Sequence, residues 1–204
     1  MSSELLLAFI LFAFVTSVTP GPNNMLLLAS GINFGLRRSL PHLLGISLGM
    51  LVMVSAIGFG LGQLLKIYPP LYNLLRYGGA AYLLYLSWKI ASAGAPQANG
   101  QLSGKPMSFL QAAAFQWVNP KAWIMAIAAI STYVPAQPLA SQILLIAGLF
   151  AVVNYPTCSL WVAAGSLLRR ALQKPLWLRR FNYLMAALLV LSLYPMLLPP
   201  PGVV

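Results

Sequence analysis

Six long stretches of the chain are almost entirely apolar, and shorter segments richer in polar residues, glycine and proline separate them. The stretches cover residues 5–30, 44–65, 71–90, 109–134, 143–168 and 181–198. Each is close to the ~20 residues that a helix needs to cross a hydrocarbon core of ~30 Å. In lipid the backbone amides can only bond within a helix, and the polar/apolar alternation of a membrane barrel is missing. The pattern therefore predicts an all-α integral membrane protein with six transmembrane helices.

The composition supports the same class. The chain is 60% hydrophobic and only 6% charged, whereas soluble domains are about a quarter charged. The first stretch lacks a basic leader and contains Pro20 and Pro22. We therefore expect it to be a first membrane helix and not a cleaved signal peptide.

The positive charges predict how the chain is threaded through the bilayer, because short loops rich in Lys and Arg stay in the cytoplasm. Alternate loops contain nine basic residues against one, Lys66, in the loops of the opposite side. The nine are Arg37, Arg38, Lys89, Lys105, Arg169, Arg170, Lys174, Arg179 and Arg180. Both termini are therefore predicted to lie outside the cytoplasm.

The third loop divides the single transmembrane domain, residues 1–204, into two halves. Residues 91–106 read ASAGAPQANGQLSGKP, which is typical of a flexible cytoplasmic linker. The halves, residues 1–90 and 107–204, would hold three helices each, so that the second enters from the other face. This arrangement favours an inverted repeat, as in many secondary transporters. A six-helix bundle without internal symmetry is the alternative.

The scarcity of acids excludes several function classes. The chain has 12 Lys and Arg residues but one carboxylate, Glu4, together with one cysteine, Cys158, and one histidine, His42. These residues cannot form a transition-metal shell, a disulfide or a catalytic triad. The basic residues lie in separate loops and form no continuous face for nucleic acid. We therefore expect no enzyme, no metal, no cofactor and no nucleic-acid partner, and we interpret His42 as a loop or packing residue.

A polar cluster interrupts the first apolar stretch at residues 19–24, TPGPNN. The two prolines lack amide protons, so carbonyls one turn earlier lose their donors. In a membrane such carbonyls need protein or a water-filled cavity as a partner. We take Pro20, Gly21, Pro22, Asn23 and Asn24 as candidate substrate-binding residues. The alternative is a kink that only shapes helix packing.

A second polar cluster interrupts the fourth stretch at residues 116–121, QWVNPK. Lys121 lies about 12 residues from either end of the stretch, or roughly 18 Å of helix. A lysine at that depth costs about 2.5–3.5 kcal/mol on insertion scales, so we expect it to face the bundle interior. Asn119, Pro120 and Lys121 are candidate substrate-binding residues. The alternative is a charge that helix carbonyls hold near an interface.

Two further patterns are weaker. Asn154 and Pro156 in the fifth stretch combine an amide with a proline, without a glycine or a charge, and are added as candidates. Glycines four residues apart, which share one helix face, predict close helix packing in the first third of the chain. These pairs are Gly31/Gly35, Gly45/Gly49 and Gly58/Gly62.

Together these motifs make the chain similar to the lysine-exporter (LysE/RhtB-type) family of amino-acid exporters over essentially its whole length. The motifs are Thr19-Pro20-Gly21-Pro22-Asn23, Gly35-Leu36-Arg37-Arg38, Gly45/Gly49, Gly79-Ala80-Ala81-Tyr82-Leu83, Trp88-Lys89 and Asn119-Pro120-Lys121-Ala122. The resemblance implies export of amino acids or close derivatives across the bacterial inner membrane, coupled to the proton gradient. Asn23-Asn24, Lys105-Pro106-Met107-Ser108-Phe109 and Ser131-Thr132-Tyr133 resemble the cysteine/O-acetylserine exporter subgroup. Tyr183 departs from the family, in which a basic residue is expected there.

We expect a secondary transporter that works by alternating access, with the substrate bound where the two helix breaks meet. Lys121 would bind the carboxylate of the substrate. A dibasic substrate would need an interior acid, and none exists, so the predicted cargo is a small neutral amino acid such as cysteine, O-acetylserine, threonine or homoserine. Titration of Lys121 would explain proton coupling, and uncoupled uniport is the alternative. A non-transporting scaffold or sensor, an exporter of a different small solute, and a homo-oligomer stay open.

Overall fold

The computed structural model describes residues 1–92, 105–171 and 175–194, and within these ranges the chain forms helices and no strand. The elements are α1 (Ser3–Val18), α2 (Pro22–Phe34), α3 (Leu36–Ala56), a π-helical turn (Ile57–Leu61), α4 (Gly62–Ile67), α5 (Pro69–Ala91), α6 (Phe109–Phe115), a 3-10 turn (Gln116–Val118), α7 (Pro120–Tyr133), α8 (Ala140–Ala171) and α9 (Pro175–Leu191). The all-helical class is as predicted. Residues 93–104 of the predicted linker and the end of the sixth stretch lie outside the described residues.

The first apolar stretch forms two helices instead of one. α1 ends at Val18 and α2 begins at Pro22, and their axes differ by 58°. The prolines explain the break, because neither can donate the amide proton that would continue α1. Pro22 occupies the first turn of α2, where a missing amide proton costs nothing.

The fourth stretch is also broken. α6 is followed by the 3-10 turn, Asn119 has an extended backbone, and α7 begins at Pro120. Lys121 is therefore the second residue of a new helix and not the midpoint of a continuous one. Each of the two predicted halves thus begins with an interrupted helix.

The fifth stretch is not interrupted, although it also contains a proline. α8 runs for 32 residues through Pro156. The hydroxyls of Thr157 and Ser159 each donate to a carbonyl one turn earlier, at 2.7 Å. These bonds go to the Val153 and Tyr155 carbonyls and not to the Val152 carbonyl, whose donor the proline removes, so α8 continues through Pro156 with one backbone bond missing.

By length and composition, two helices in the described ranges could cross a membrane, Leu36–Leu64 and Ala140–Arg169. The bent pair α1–α2 would add a third if it acts as one span. Six spans therefore stay a prediction. The distribution of side chains nevertheless fits a bilayer, since Leu7, Ile124 and Val152 are 59%, 66% and 69% exposed, while many polar side chains lie inside. Examples of buried polar residues are Asn24, Ser47, Gln116, Asn119, Asn154 and Asn182.

The helix α8 is central and packs on α1, α2 and α3, whereas α3 also packs on α6. Glycines allow the close contacts, as the four-residue spacing predicts. A Cβ on Gly31 would lie 2.3 Å from the Val162 carbonyl oxygen of α8, and one on Gly45 would lie 2.3 Å from the Phe109 carbonyl oxygen. Gly35 differs in its role: its φ of 79° turns the chain between α2 and α3.

Two groups of buried apolar residues fill the bundle. One joins α1, α3, α7 and α8 around Phe9, Met53 and Phe150, and the other joins α2, α3, α5, α6, α8 and α9 around Leu27, Ile46 and Phe115. Met50, Ala122 and Met125 belong to the first group and Cys158 to the second. These four side chains line a common cleft between the two groups.

Candidate functional site

The break between α1 and α2 is a short segment in which the Thr19 and Pro20 carbonyl oxygens accept from side chains, whereas the Gly21 carbonyl oxygen accepts from the Met25 N–H and begins the α2 ladder. Gly21 has an extended backbone and lies directly before Pro22. It is also where the α7 side chain approaches most closely, since a Cβ on Gly21 would lie 2.6 Å from Cδ of Lys121. Glycine at this position therefore leaves room for the lysine.

The break between α6 and α7 is shaped by Asn119. Its side-chain oxygen accepts a hydrogen bond from the backbone N–H of Lys121 at 3.2 Å and so caps α7. Pro120 fills the first helical position, which needs no amide proton. The following residue, Lys121, points toward the other break.

The two breaks meet through Lys121. Its Nζ donates to the carbonyl oxygen of Thr19, to the Thr19 Oγ1 at 2.8 Å and to the carbonyl oxygen of Pro20 at 3.4 Å. Glu4 is the only acid in the sequence, so no carboxylate on α7 or in the breaks balances this ammonium. These acceptors lie in the break between α1 and α2, so the ammonium is held by oxygens of that break and not by carbonyls of its own helix.

Other side chains bind the remaining carbonyls at the end of α1. Asn24 donates from Nδ2 to the carbonyl oxygens of Ser17 and Thr19, both at 2.8 Å. The Trp161 indole donates to the Val18 carbonyl oxygen at 3.2 Å. Groups that the prolines leave without backbone donors are thus bonded by side chains, as burial requires.

A reciprocal amide pair links the two breaks a second time. The Asn23 Nδ2 donates to Gln116 Oε1 at 2.8 Å, and the Gln116 Nε2 donates to Asn23 Oδ1 at 3.2 Å. Gln116 is fully buried. Gln116 lies in the QWVNPK segment but was not among the predicted site residues. Its position in the same polar cluster, three residues before the capping residue Asn119, could have indicated it.

The middle of α8 adds a polar network to the same region. Asn154 donates from Nδ2 to Ser17 Oγ at 3.0 Å and accepts at Oδ1 from Ser47 Oγ at 3.1 Å. The Cys158 thiol lies 3.8 Å from Asn24 Oδ1, within hydrogen-bond range for sulfur. Sequence reasoning missed Ser17 and Ser47, because single serines in apolar helices give no pattern.

These groups surround a cleft of about 290 Å³, a volume that includes the open space at its mouth. Six predicted residues line it, namely Gly21, Asn23, Asn24, Asn119, Lys121 and Asn154, together with Thr16, Ser17, Met50, Ala122, Met125 and Cys158. Pro20, Pro22 and Pro120 shape the breaks without lining the cleft, and Pro156 is exposed on α8. Lys121 supplies the only formal charge among the lining residues. The described ranges contain no cluster of three or more His, Cys, Asp or Glu side chains for a metal.

Comparison with known proteins identifies the family. The family model described as LysE type translocator matches residues 14–192. The chain belongs to the LysE type translocator family. This translocator is 37% identical over 194 residues to the protein of Escherichia coli strain K12 named cysteine/O-acetylserine efflux protein, covering 93% of this chain and 96% of the relative. A protein of the same name from Shigella sonnei strain Ss046 matches with the same identity and coverage. No solved structure gives a significant match.

Proposed function

We propose that this translocator exports a small neutral amino acid or a close derivative from the cytoplasm, with cysteine and O-acetylserine as the first substrates to test. The name shared by relatives that align over nearly the full length of both chains supports this choice. Threonine and homoserine are of similar size and charge and form the second group of candidates.

The observation that carries the proposal is the position of Lys121 in the cleft. Its ammonium is bonded only to neutral oxygens of Thr19 and Pro20. A substrate carboxylate would offer the ammonium an acceptor of opposite charge, and this attraction is stronger in a partly buried cleft than in water. Lys121 therefore supports recognition of an amino acid through its carboxylate.

The remaining wall of the cleft can recognise the rest of an amino acid. The side-chain oxygens of Asn23, Asn119 and Asn154 can accept from the substrate ammonium, as can the carbonyls at the end of α1. No acid lines the cleft, so a second positive charge on the substrate would have no partner and would lie near Lys121. Discrimination against lysine follows from this, since like charges that are buried together are costly.

Alternating access is the transport mechanism that we propose. Lys121 and the Asn23–Gln116 pair join a break in the first half to a break in the second, so relative movement of the halves must change these contacts. Each half begins with an interrupted helix, α1–α2 and α6–α7, which supports the inverted repeat with six spans and both termini outside. Because the proposed substrate leaves the cytoplasm, we propose the bacterial inner membrane as the location of the protein.

Reconstituted vesicles test the function. We expect purified protein to accelerate movement of labelled O-acetylserine or cysteine by at least about tenfold over empty vesicles, with lysine much slower. Absence of transport for all four neutral candidates, in protein that remains monodisperse, would contradict the proposal and favour a scaffold or sensor.

Proton coupling is tested in the same vesicles. If transport is coupled, substrate efflux should accelerate when protons flow down their gradient in the opposite direction, into the compartment that the substrate leaves. An uncoupler should abolish this acceleration. A rate that is independent of the gradient would show uniport down the substrate's own gradient.

A further inference from the structure

A second cavity, of about 490 Å³ including the open space at its mouth, lies beside the other end of α2. Its wall includes Ser30, Asn33, His42, Lys89, Lys105 and Met107. Asn33 is eleven residues after Pro22, which corresponds to roughly 16 Å along a helix. The cavity is therefore separate from the cleft at Lys121. It lies on the side where Lys89 and Lys105 are predicted to face the cytoplasm.

His42 is the reason to regard this cavity as a binding site. Its side chain is 1% exposed, and neither ring nitrogen has a hydrogen-bond partner in the described chain. Buried polar groups in native proteins are nearly always bonded, so a ring without a partner at a cavity wall indicates a ligand. The earlier interpretation of His42 as a simple packing residue does not explain the two orphan nitrogens.

The neighbouring polar side chains do not bond the His42 ring nitrogens, because they bond one another or backbone carbonyls. Ser30 and Ser39 bond each other at 2.7 Å, and Ser39 also donates to the Gly35 carbonyl oxygen. The Asn33 amide nitrogen donates to the Ala29 carbonyl oxygen at 2.8 Å and to Asn182 Oδ1 at 3.2 Å.

The charged groups around the cavity are all positive. Lys89 of α5 and Lys105 before α6 line it directly, and Arg38 of α3 stacks on Phe34, another lining residue, at 5.6 Å. Among the described lining residues none is acidic. Such a site favours an anionic group at its rim.

We propose that this cavity is a second binding site for the amino-acid substrate, on the cytoplasmic route to the cleft. Lys89 and Lys105 hold the carboxylate, and His42 bonds the polar groups of the substrate deeper in the cavity. A neutral imidazole offers one donor and one acceptor, which matches a zwitterion that presents both a carboxylate and an ammonium. A simple anion would leave the acceptor nitrogen without a partner. The proposal rests on the proposed export function, because it assigns the same substrate to a second site.

The single histidine of the chain makes a direct test possible. With ¹⁵N-histidine labelling and the purification tag removed, all histidine ring signals come from His42. We expect O-acetyl-L-serine to shift both ring-nitrogen signals saturably, in wild type and in Lys121→Met, in which the cleft has lost its charge. Acetate should act more weakly and move mainly one nitrogen. Lys89→Gln and Lys105→Gln should each weaken the apparent affinity by about tenfold, because a charge-assisted bond is lost.

Arg179→Gln is the matched control, since it removes a positive charge that stacks on Tyr183 and that lines neither cavity. It should leave the titration unchanged. Signals that do not respond at substrate concentrations that saturate transport would overturn the second site. So would signals that respond only to phosphatidylglycerol vesicles, which would indicate a lipid headgroup as the ligand. Vesicle transport separates the two proposals: if O-acetylserine is transported while His42 is silent, only the second site fails, and if none of the four neutral candidates is transported, the export function fails.

Discussion

The Nζ of Lys121 donates to both the carbonyl oxygen and the hydroxyl of Thr19, a residue 102 positions earlier in the chain. This contact joins the interrupted helix of the first half to that of the second. It places the only charged side chain that lines the cleft against backbone carbonyls in the proline-containing break between α1 and α2. The arrangement predicts that Lys121 contributes to both substrate recognition and contact between the halves.

Replacement of Lys121 by methionine keeps an unbranched side chain that is one atom shorter, and it removes the charge. We expect kcat/KM for export of O-acetylserine to fall by about 10- to 100-fold, because hydrogen bonds to charged groups contribute about 1.5–3 kcal/mol. Initial rates in vesicles measure this. Arg179→Gln should transport normally, and unchanged transport by Lys121→Met would remove the carboxylate role from this residue.

Gly21→Ala tests the space beside Lys121. The added Cβ would lie 2.6 Å from the lysine Cδ and 3.3 Å from its Nζ, so the lysine must move off the Thr19 oxygens. We expect transport to fall at least several-fold while the protein still inserts and purifies as a monodisperse species. Gly78→Ala is a suitable control, because nothing lies within 4 Å of its added Cβ. Equal activity of the two variants would show that the position of Lys121 is not critical.

The amide pair of Asn23 and Gln116 is suited to a double-mutant cycle. Each alanine variant leaves one buried amide without its partner, which costs about 1–3 kcal/mol in the free energy of unfolding. The double variant should be destabilised by less than the sum of the two single variants, because it leaves neither amide behind. Reversible unfolding in detergent gives the three values. Strict additivity would mean that the two side chains do not interact in the membrane-embedded protein.

Gly31→Ala should test the contact between α2 and α8. An added Cβ would lie 2.3 Å from the Val162 carbonyl oxygen and 2.9 Å from the Ser166 backbone nitrogen. Since backbone atoms cannot rotate away, the helices must separate, at a cost of about 1–3 kcal/mol as for other overpacked sites. The thermal midpoint in detergent should fall relative to wild type. Gly148→Ala, in open space on α8, should leave it unchanged or raise it slightly.

The predicted threading of the chain can be read by thiol labelling, because the only native cysteine, Cys158, is buried. Ser2→Cys should react with a membrane-impermeant maleimide in intact cells, since the N-terminus is predicted to lie outside. Arg37→Cys, at an exposed position in the first turn of α3, should react only after the inner membrane is permeabilised. The opposite pattern would reverse the assigned orientation.

The sequence predicted well those features that depend on composition and on residues with strong local effects. The all-helical class follows from apolar length, the breaks follow from the prolines at residues 20, 22 and 120, and the close packing of Gly31 and Gly45 follows from glycine spacing. The interruption of the first stretch was expected, but its 58° bend was not, because a proline fixes where a helix ends and not the direction of the next one.

Partnerships across the bundle were harder to predict. The contacts of Gln116 with Asn23, and of Ser17 and Ser47 with Asn154, depend on how four helices are oriented around their axes. A proline in α8 resembled the other two sites in sequence, yet that helix continues through Pro156. His42 looked ordinary in the sequence, since only the packed structure shows that its ring nitrogens are unpartnered.

An ammonium group has only three N–H donors. Those of Lys121 already bond oxygens of Thr19 and Pro20. A carboxylate that reaches the cleft must displace at least part of that contact, so loading the carrier and loosening the junction between its halves become a single event. An amine of the same size without the acid group would have no means of doing so. In the proposed alternating-access cycle the carboxylate would therefore both bind the substrate and loosen the contact between the two predicted halves.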